Sequence, residues 1–183
     1  MTPSIPAPAA TSVRPGALPP GALLGRYRDD GAYTDCYVTD LQHAVSQADY
    51  VEAFYGTALF KLERWLLAQV LALPSTDAQA RELAAGTRSG FAAWKVEART
   101  PDQLLLCDVR GRTRSWLMSA PVASGLGAGG STRLYFGSAV VPAATGRGGR
   151  PRMGGAFRAL LGLHRLYARS LLRAAAARLA RSA

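Results

Sequence analysis

The spacing of apolar positions changes character several times along this chain, and each change predicts an element. Residues 34–39 are β-branched and aromatic and follow Gly31, which predicts a strand. Val51, Phe54, Tyr55, Ala58, Leu59 and Leu62 then recur at steps of three and four, the period of a helix, and Ser46 with Asp49 three residues on marks its start. Gly56 and Thr57 break that helix before a second run, residues 60–73, which Pro74 stops. Between Trp65 and Leu73 only Gln69 is polar, so this half is expected to be deeply buried, the alternative being contact with an apolar partner. Thr76 and Gln79 form a capping box for a short helix ending at Gly86. Four strand-like runs follow at residues 91–98, 104–109, 113–122 and 132–141, with turns at Pro101-Asp102 and Gly111. Such short connections predict antiparallel hairpins, because parallel strands need long crossovers. Residues 153–180 predict one helix ~40 Å long. Its apolar stripe includes Phe157, Leu160, Leu161, His164, Ala168, Leu171 and Leu172, and its basic stripe is Arg158, Arg165, Arg169 and Arg173.

The order of these elements predicts an α+β fold. An antiparallel sheet carries helices inserted after its first strand, and the long C-terminal helix packs across it. Residues 1–24, with six prolines among alanines and serines, are expected to be a disordered tail, leaving 25–183 as a single domain. Alternation within the strands assigns faces. With Arg133 outward, Leu134, Phe136 and Ser138 point inward. Taking Asp108 as outward places Leu105 and Cys107 inward, and Trp116, sharing a face with Arg112 and Arg114, leaves Leu117 as the inward neighbour.

Charge changes the picture more than overall composition does. Residues 1–108 carry all 12 acidic groups and nine basic ones, whereas residues 109–183 carry 13 arginines and no acid. That asymmetry is expected of a partner surface that is anionic, a membrane or a nucleic acid, unless folding brings the two halves together. The two cysteines, Cys36 and Cys107, lie within strand runs and are expected to be reduced thiols. The N-terminal 20 residues hold no apolar core of a signal peptide and no stretch approaches the ~20 apolar residues of a membrane span, so the expected location is cytoplasmic.

Candidate chemistry is sparse. Residues 125–130 have the spacing of a dinucleotide fingerprint, but they join two strands, and the fingerprint works only between a strand and a helix. Residues 146–152 hold three arginines among glycines before a helix start, where exposed N–H groups favour an anion. Arg150 and Arg152, with Arg165 and Arg169, are therefore the anion-binding candidates. No catalytic set, metal-ligand spacing or cofactor motif is present in the sequence. Of the two histidines, His43 follows the first strand, while His164 interrupts the dry stripe of the last helix.

Phe91-Ala92-Ala93-Trp94-Lys95-Val96, Pro101-Asp102-Gln103-Leu104-Leu105-Leu106, Thr132-Arg133-Leu134 and the stretch from Phe157 to Leu172, taken in this order of elements, resemble the START-like helix-grip superfamily, also called SRPBCC. The resemblance is to a bacterial branch of unknown function and spans roughly residues 30–180. It implies a cavity between sheet and C-terminal helix that holds a small apolar or aromatic ligand. Trp94, Leu117 and Phe136 would line that cavity, and His164 would supply its polar contact. Two other readings remain open: an interaction protein working through its arginine-rich half, and a cyclase- or hydratase-like enzyme using His164 as general acid or base. Oligomeric state is not legible in these residues.

Overall fold

A computed structural model describes residues 12–71, 75–122, 130–141 and 155–182. Seven strands form one antiparallel sheet: β1 (Arg14–Pro15), β2 (Tyr33–Leu41), β3 (Gly90–Phe91), β4 (Trp94–Thr100), β5 (Gln103–Asp108), β6 (Thr113–Val122) and β7 (Ser131–Val140). Their spatial order is β1-β2-β7-β6-β5-β4-β3. Five helices occur among the described residues: α1 (Gly25–Asp29), α2 (Gln47–Tyr55), α3 (Ala58–Leu71), α4 (Asp77–Ala85) and α5 (Gly155–Leu179). The chain is therefore α+β with a C-terminal helix packed against an open sheet, as the order of its apolar runs predicts.

Local chemistry explains the helix boundaries. Ser46 caps α2 by accepting the Asp49 N–H at 3.1 Å. Thr76 and Gln79 form the expected reciprocal box at the start of α4, and Gly86 ends that helix in the left-handed conformation. The run at residues 91–98, read as one strand, is two: Ala92 takes a φ of 51°, and the chain reverses there so that Phe91 pairs with Trp94.

The inner face of the sheet carries the larger core. Leu104, Leu106, Leu117, Leu134, Phe136 and Tyr37 lie on it, covered by Tyr50 and Phe54 of α2 and by Ala168, Leu171, Leu172 and Ala175 of α5. Leu171 and Leu172 thus pack as the stripe predicts. The inward assignment of Leu105 and Cys107 is overturned, because β5 turns Leu104 and Leu106 to the helices instead. Asp108 misled that assignment. Its carboxylate accepts the backbone N–H groups of Arg112 and Thr113, capping the turn from the inner row.

The outer face is closed as well, and the segment that closes it corrects a second expectation. Residues 12–24 do not belong to a disordered tail. Arg14 and Pro15 pair with Val38 and Tyr37, and Val13 and Leu24 are buried. Leu18, Ala22, Leu23, Leu24 and Tyr27 cover Trp116, Leu105, Met118, Val38 and Ala139. Burying these side chains offsets the entropy of ordering the segment. Gln103 fastens it: its side-chain carbonyl accepts both the Leu23 N–H and the Trp116 indole N–H at 2.9 Å, and its amide donates to the Gly21 carbonyl at 3.2 Å. The approach is so close at β7 that only glycine fits at 137, where a Cβ would come within 2.8 Å of Leu24 and 2.9 Å of the Asp35 carbonyl. Residues 1–11 of the expected tail lie outside the described residues.

Candidate functional site: the seam between β2 and α5

Cross-strand register builds a polar row into the inner face. Asp35 of β2 stands opposite Ser138 of β7, and Ser138 stands opposite Ser115 of β6. Above that row α5 presents His164. The Ser138 hydroxyl lies 2.5 Å from Asp35 Oδ1 and 2.7 Å from His164 Nε2, and the same nitrogen is 3.5 Å from Asp35 Oδ2. Asp35 Oδ1 also accepts the Ser138 backbone N–H at 3.1 Å.

Serine, histidine and aspartate in contact invite comparison with a nucleophilic triad, and the geometry refuses it. In a triad the imidazole uses one nitrogen for the serine and the other for the carboxylate. Here Nε2 meets both. The hydroxyl has a single proton, which the 2.5 Å contact gives to Asp35, leaving its oxygen to accept from Nε2–H. Ser138 is buried, so this cluster anchors α5 to the edge of the sheet. His164 does not serve as a base toward that serine.

A cleft of about 750 Å³ opens beside this anchor, where β1 ends and leaves the edge of β2 uncovered. Residues 15–18 form one wall and residues 33–37 of β2 the floor. Gly162, Arg165, Leu166 and Arg169 of α5 form the other wall, and Arg28 closes an end. Arg165 donates to the Tyr33 hydroxyl at 3.2 Å, with its guanidinium 6.0 Å from the centre of that ring. Arg165 and Arg169 are one helical turn apart and both exposed, so their like charges lie together over the cleft. Cys36 lies in the floor, where burial pushes its thiol up to about 12 and keeps it protonated.

The sequence-predicted residues distribute unevenly about this seam. His164, Arg165 and Arg169 come together at it. Leu117 and Phe136 are buried deeper in the main core, where Phe136 packs on Phe54 with ring centres 4.8 Å apart and the Leu117 carbonyl accepts from Gln47. Trp94 is distant in the sheet order, on β4, half-buried, with its indole N–H buried and without a hydrogen-bond partner among the described residues. A second cleft, about 490 Å³, lies between the start of α2 and the end of α5. Neither cleft is lined by Trp94, Leu117 or Phe136. Arg150 and Arg152, both glycine-rich segments at 125–129 and 146–149, and the side chains of Arg158, Leu160 and Leu161 lie outside the described residues.

Sequence reasoning missed Tyr33, Asp35, Arg28 and the wall at residues 15–18. A carboxylate sharing a face with Tyr37 and Thr39 in a predicted strand was the available sign for Asp35. Its partner Ser138 follows only from the β2–β7 register, which no local pattern encodes.

Taken together, fold and site define an α+β chain with a helix laid over an antiparallel sheet and a basic cleft at their open edge. No protein-family model, no curated protein and no solved structure matches the chain.

Proposed function

We propose that this chain is a small-molecule-binding module of the helix-grip kind. Its ligand is an apolar or aromatic molecule with an anionic head, seated between the sheet edge and α5. The observation that carries this reading is the 750 Å³ cleft whose α5 wall sets Arg165 and Arg169 one turn apart, beside apolar Leu166, Leu18 and Pro15. The volume falls within the ~300–1,000 Å³ of ordinary ligand sites. A carboxylate or phosphate head would relieve the repulsion between the two guanidiniums, and Arg–anion hydrogen bonds are among the strong ones. Leu166, 63% exposed, supplies apolar surface to cover a hydrocarbon body.

Calorimetric titration with dodecanoate and with dodecanol tests this, since the two share a chain and differ in charge. The expected outcome is saturable dodecanoate binding, with dodecanol at least ~10-fold weaker, equivalent to about 1.4 kcal/mol. Replacing Arg165 and Arg169 by Gln should erase that difference. Equal binding of acid and alcohol, or no saturable binding of either, would refute the proposal.

A further inference from the structure

The run after Trp65, expected to be deeply buried, begins with a side chain that is not. Trp65 is 58% exposed, and Leu62, one turn earlier on the same face of α3, is 54% exposed. On α5, Leu163 and Leu166 are 64% and 63% exposed and likewise lie three residues apart on one face. The two helices are neighbours, joined by a hydrogen bond from the Tyr167 hydroxyl to Glu63. Tyr167 stands one turn beyond Leu163, and Glu63 follows Leu62, so the bond sets both apolar pairs on adjoining helices. Five large hydrophobic side chains are strongly exposed among the described residues, and four of them are these. Isolated exposed leucines need no explanation, but two exposed apolar pairs on neighbouring helices, one with a tryptophan, mark a contact surface.

Charge decides what that surface fits. Arg165, Arg169 and Arg173 flank Leu163 and Leu166 along α5, all exposed, and the helix carries no acidic residue. On α3, Lys61 is paired with Asp77, while Glu63 is turned to Tyr167. A second copy of the chain would set arginine against arginine across the contact, which like-charge repulsion disfavours. A nucleic acid would satisfy the guanidiniums but leave two leucines and an indole against phosphates. An anionic lipid surface takes both parts, with leucines and tryptophan entering the headgroup region and arginines meeting the lipid charges.

We infer that the paired faces of α3 and α5 form a peripheral docking surface for an anionic lipid membrane. The surface is separate from the ligand cleft in its key residues: Trp65, Leu163 and Arg173 do not line the cleft. The chain lies on the lipid rather than crossing it, and no helix among the described residues is long and apolar enough to span a bilayer. With the cleft opening beside Leu166, docking would also place its mouth near the lipid.

Co-sedimentation of the full chain with vesicles of phosphatidylcholine, with and without phosphatidylglycerol, is the test. Binding is expected only where phosphatidylglycerol is present, weakening steeply with added salt and shifting tryptophan emission to shorter wavelength. Trp65→Ser should abolish the shift, and Leu163→Glu should reduce binding more than ~10-fold, since each removes apolar burial from an exposed position that the fold does not need. Arg173→Gln should weaken binding about fivefold, the worth of one basic residue near an anionic surface. Unchanged circular dichroism and unchanged dodecanoate titration in these variants separate loss of docking from misfolding and from loss of the cleft. Absence of binding to phosphatidylglycerol vesicles would overturn the inference. Vesicle binding indifferent to Trp65→Ser and Leu163→Glu would overturn it too, as would a solution dimer that these substitutions dissolve.

Discussion

The two faces of the sheet solve the same burial problem by opposite means. The outer face is covered by a length of chain with little regular structure, residues 13–27, fastened by Gln103 and, at Tyr27, by hydrogen bonds with Glu97 and Arg114. The inner face is covered by two regular helices, yet it holds Asp35, Ser138, Ser115 and His164 among its leucines and phenylalanines. The outer face is thus the structural one. Its polar groups are paired by Gln103, by Tyr27 with Glu97 and Arg114, and by Asp40 with Arg14 and Arg133, and Gly137 allows a fit with no room to spare. The inner face keeps a polar seam that ends in an open cleft lined by arginines. Buried polar groups cost free energy unless they are partnered, so a polar seam that borders an open cleft is the better guide to function.

The largest effect that would break this comparison is on the outer face. Leu24 is fully buried between Trp116 and β7, and cutting it to Ala should destabilise the chain by ~2–5 kcal/mol. Urea unfolding followed by tryptophan fluorescence measures this directly. A loss below ~0.5 kcal/mol would return residues 12–24 to the status of a loose tail.

A smaller effect sharpens the inner half of the comparison. Burial raises the Glu63 carboxyl above the ordinary carboxylate range, a rise that its hydrogen bond from Tyr167 opposes but does not cancel. Raised in this way, Glu63 holds its proton more tightly in the folded chain than in the unfolded one. Its contribution to stability is full below the ordinary range and is lost as pH rises through the folded value. Glu63→Gln, which stays neutral and still accepts from Tyr167, should therefore raise the Tm at pH 7. The gain should vanish near about pH 4, where the unfolded carboxyl also holds its proton. Lower stability of the variant at both values would mean that the charged bond to Tyr167, rather than desolvation, governs this contact between α3 and α5.

What was legible in the sequence follows the same division. Helical and strand periods disclosed α2, α5 and the inward turn of Leu134, Phe136, Ser138 and Leu117, and a capping box disclosed α4, because each is fixed by neighbours within a few residues. The covering segment was hidden. Leu18, Leu23 and Leu24 sit in a proline- and glycine-rich stretch without periodicity, and what orders them is Trp116 and Gln103, far along the chain. The seam was half visible. His164 announced itself by interrupting a dry stripe, while Asp35 and the cleft depend on where β1 stops pairing with β2, a matter of tertiary register. The cavity was what the resemblance implied, with Trp94, Leu117 and Phe136 as its inward lining, and an inward face describes a packed core as readily as a hollow one.

The central claim is that the ligand sits at the open edge, between β2 and α5, rather than deep beneath the helices. Mapping backbone amide shifts by nuclear magnetic resonance during a dodecanoate titration tests it most directly. The account predicts saturable shifts concentrated at residues 15–18, 33–37 and 162–169, lost when Arg165 and Arg169 are replaced by Gln. Shifts concentrated instead around Trp94, Leu117 and Phe136, persisting in that variant, would contradict it and place the ligand in the interior.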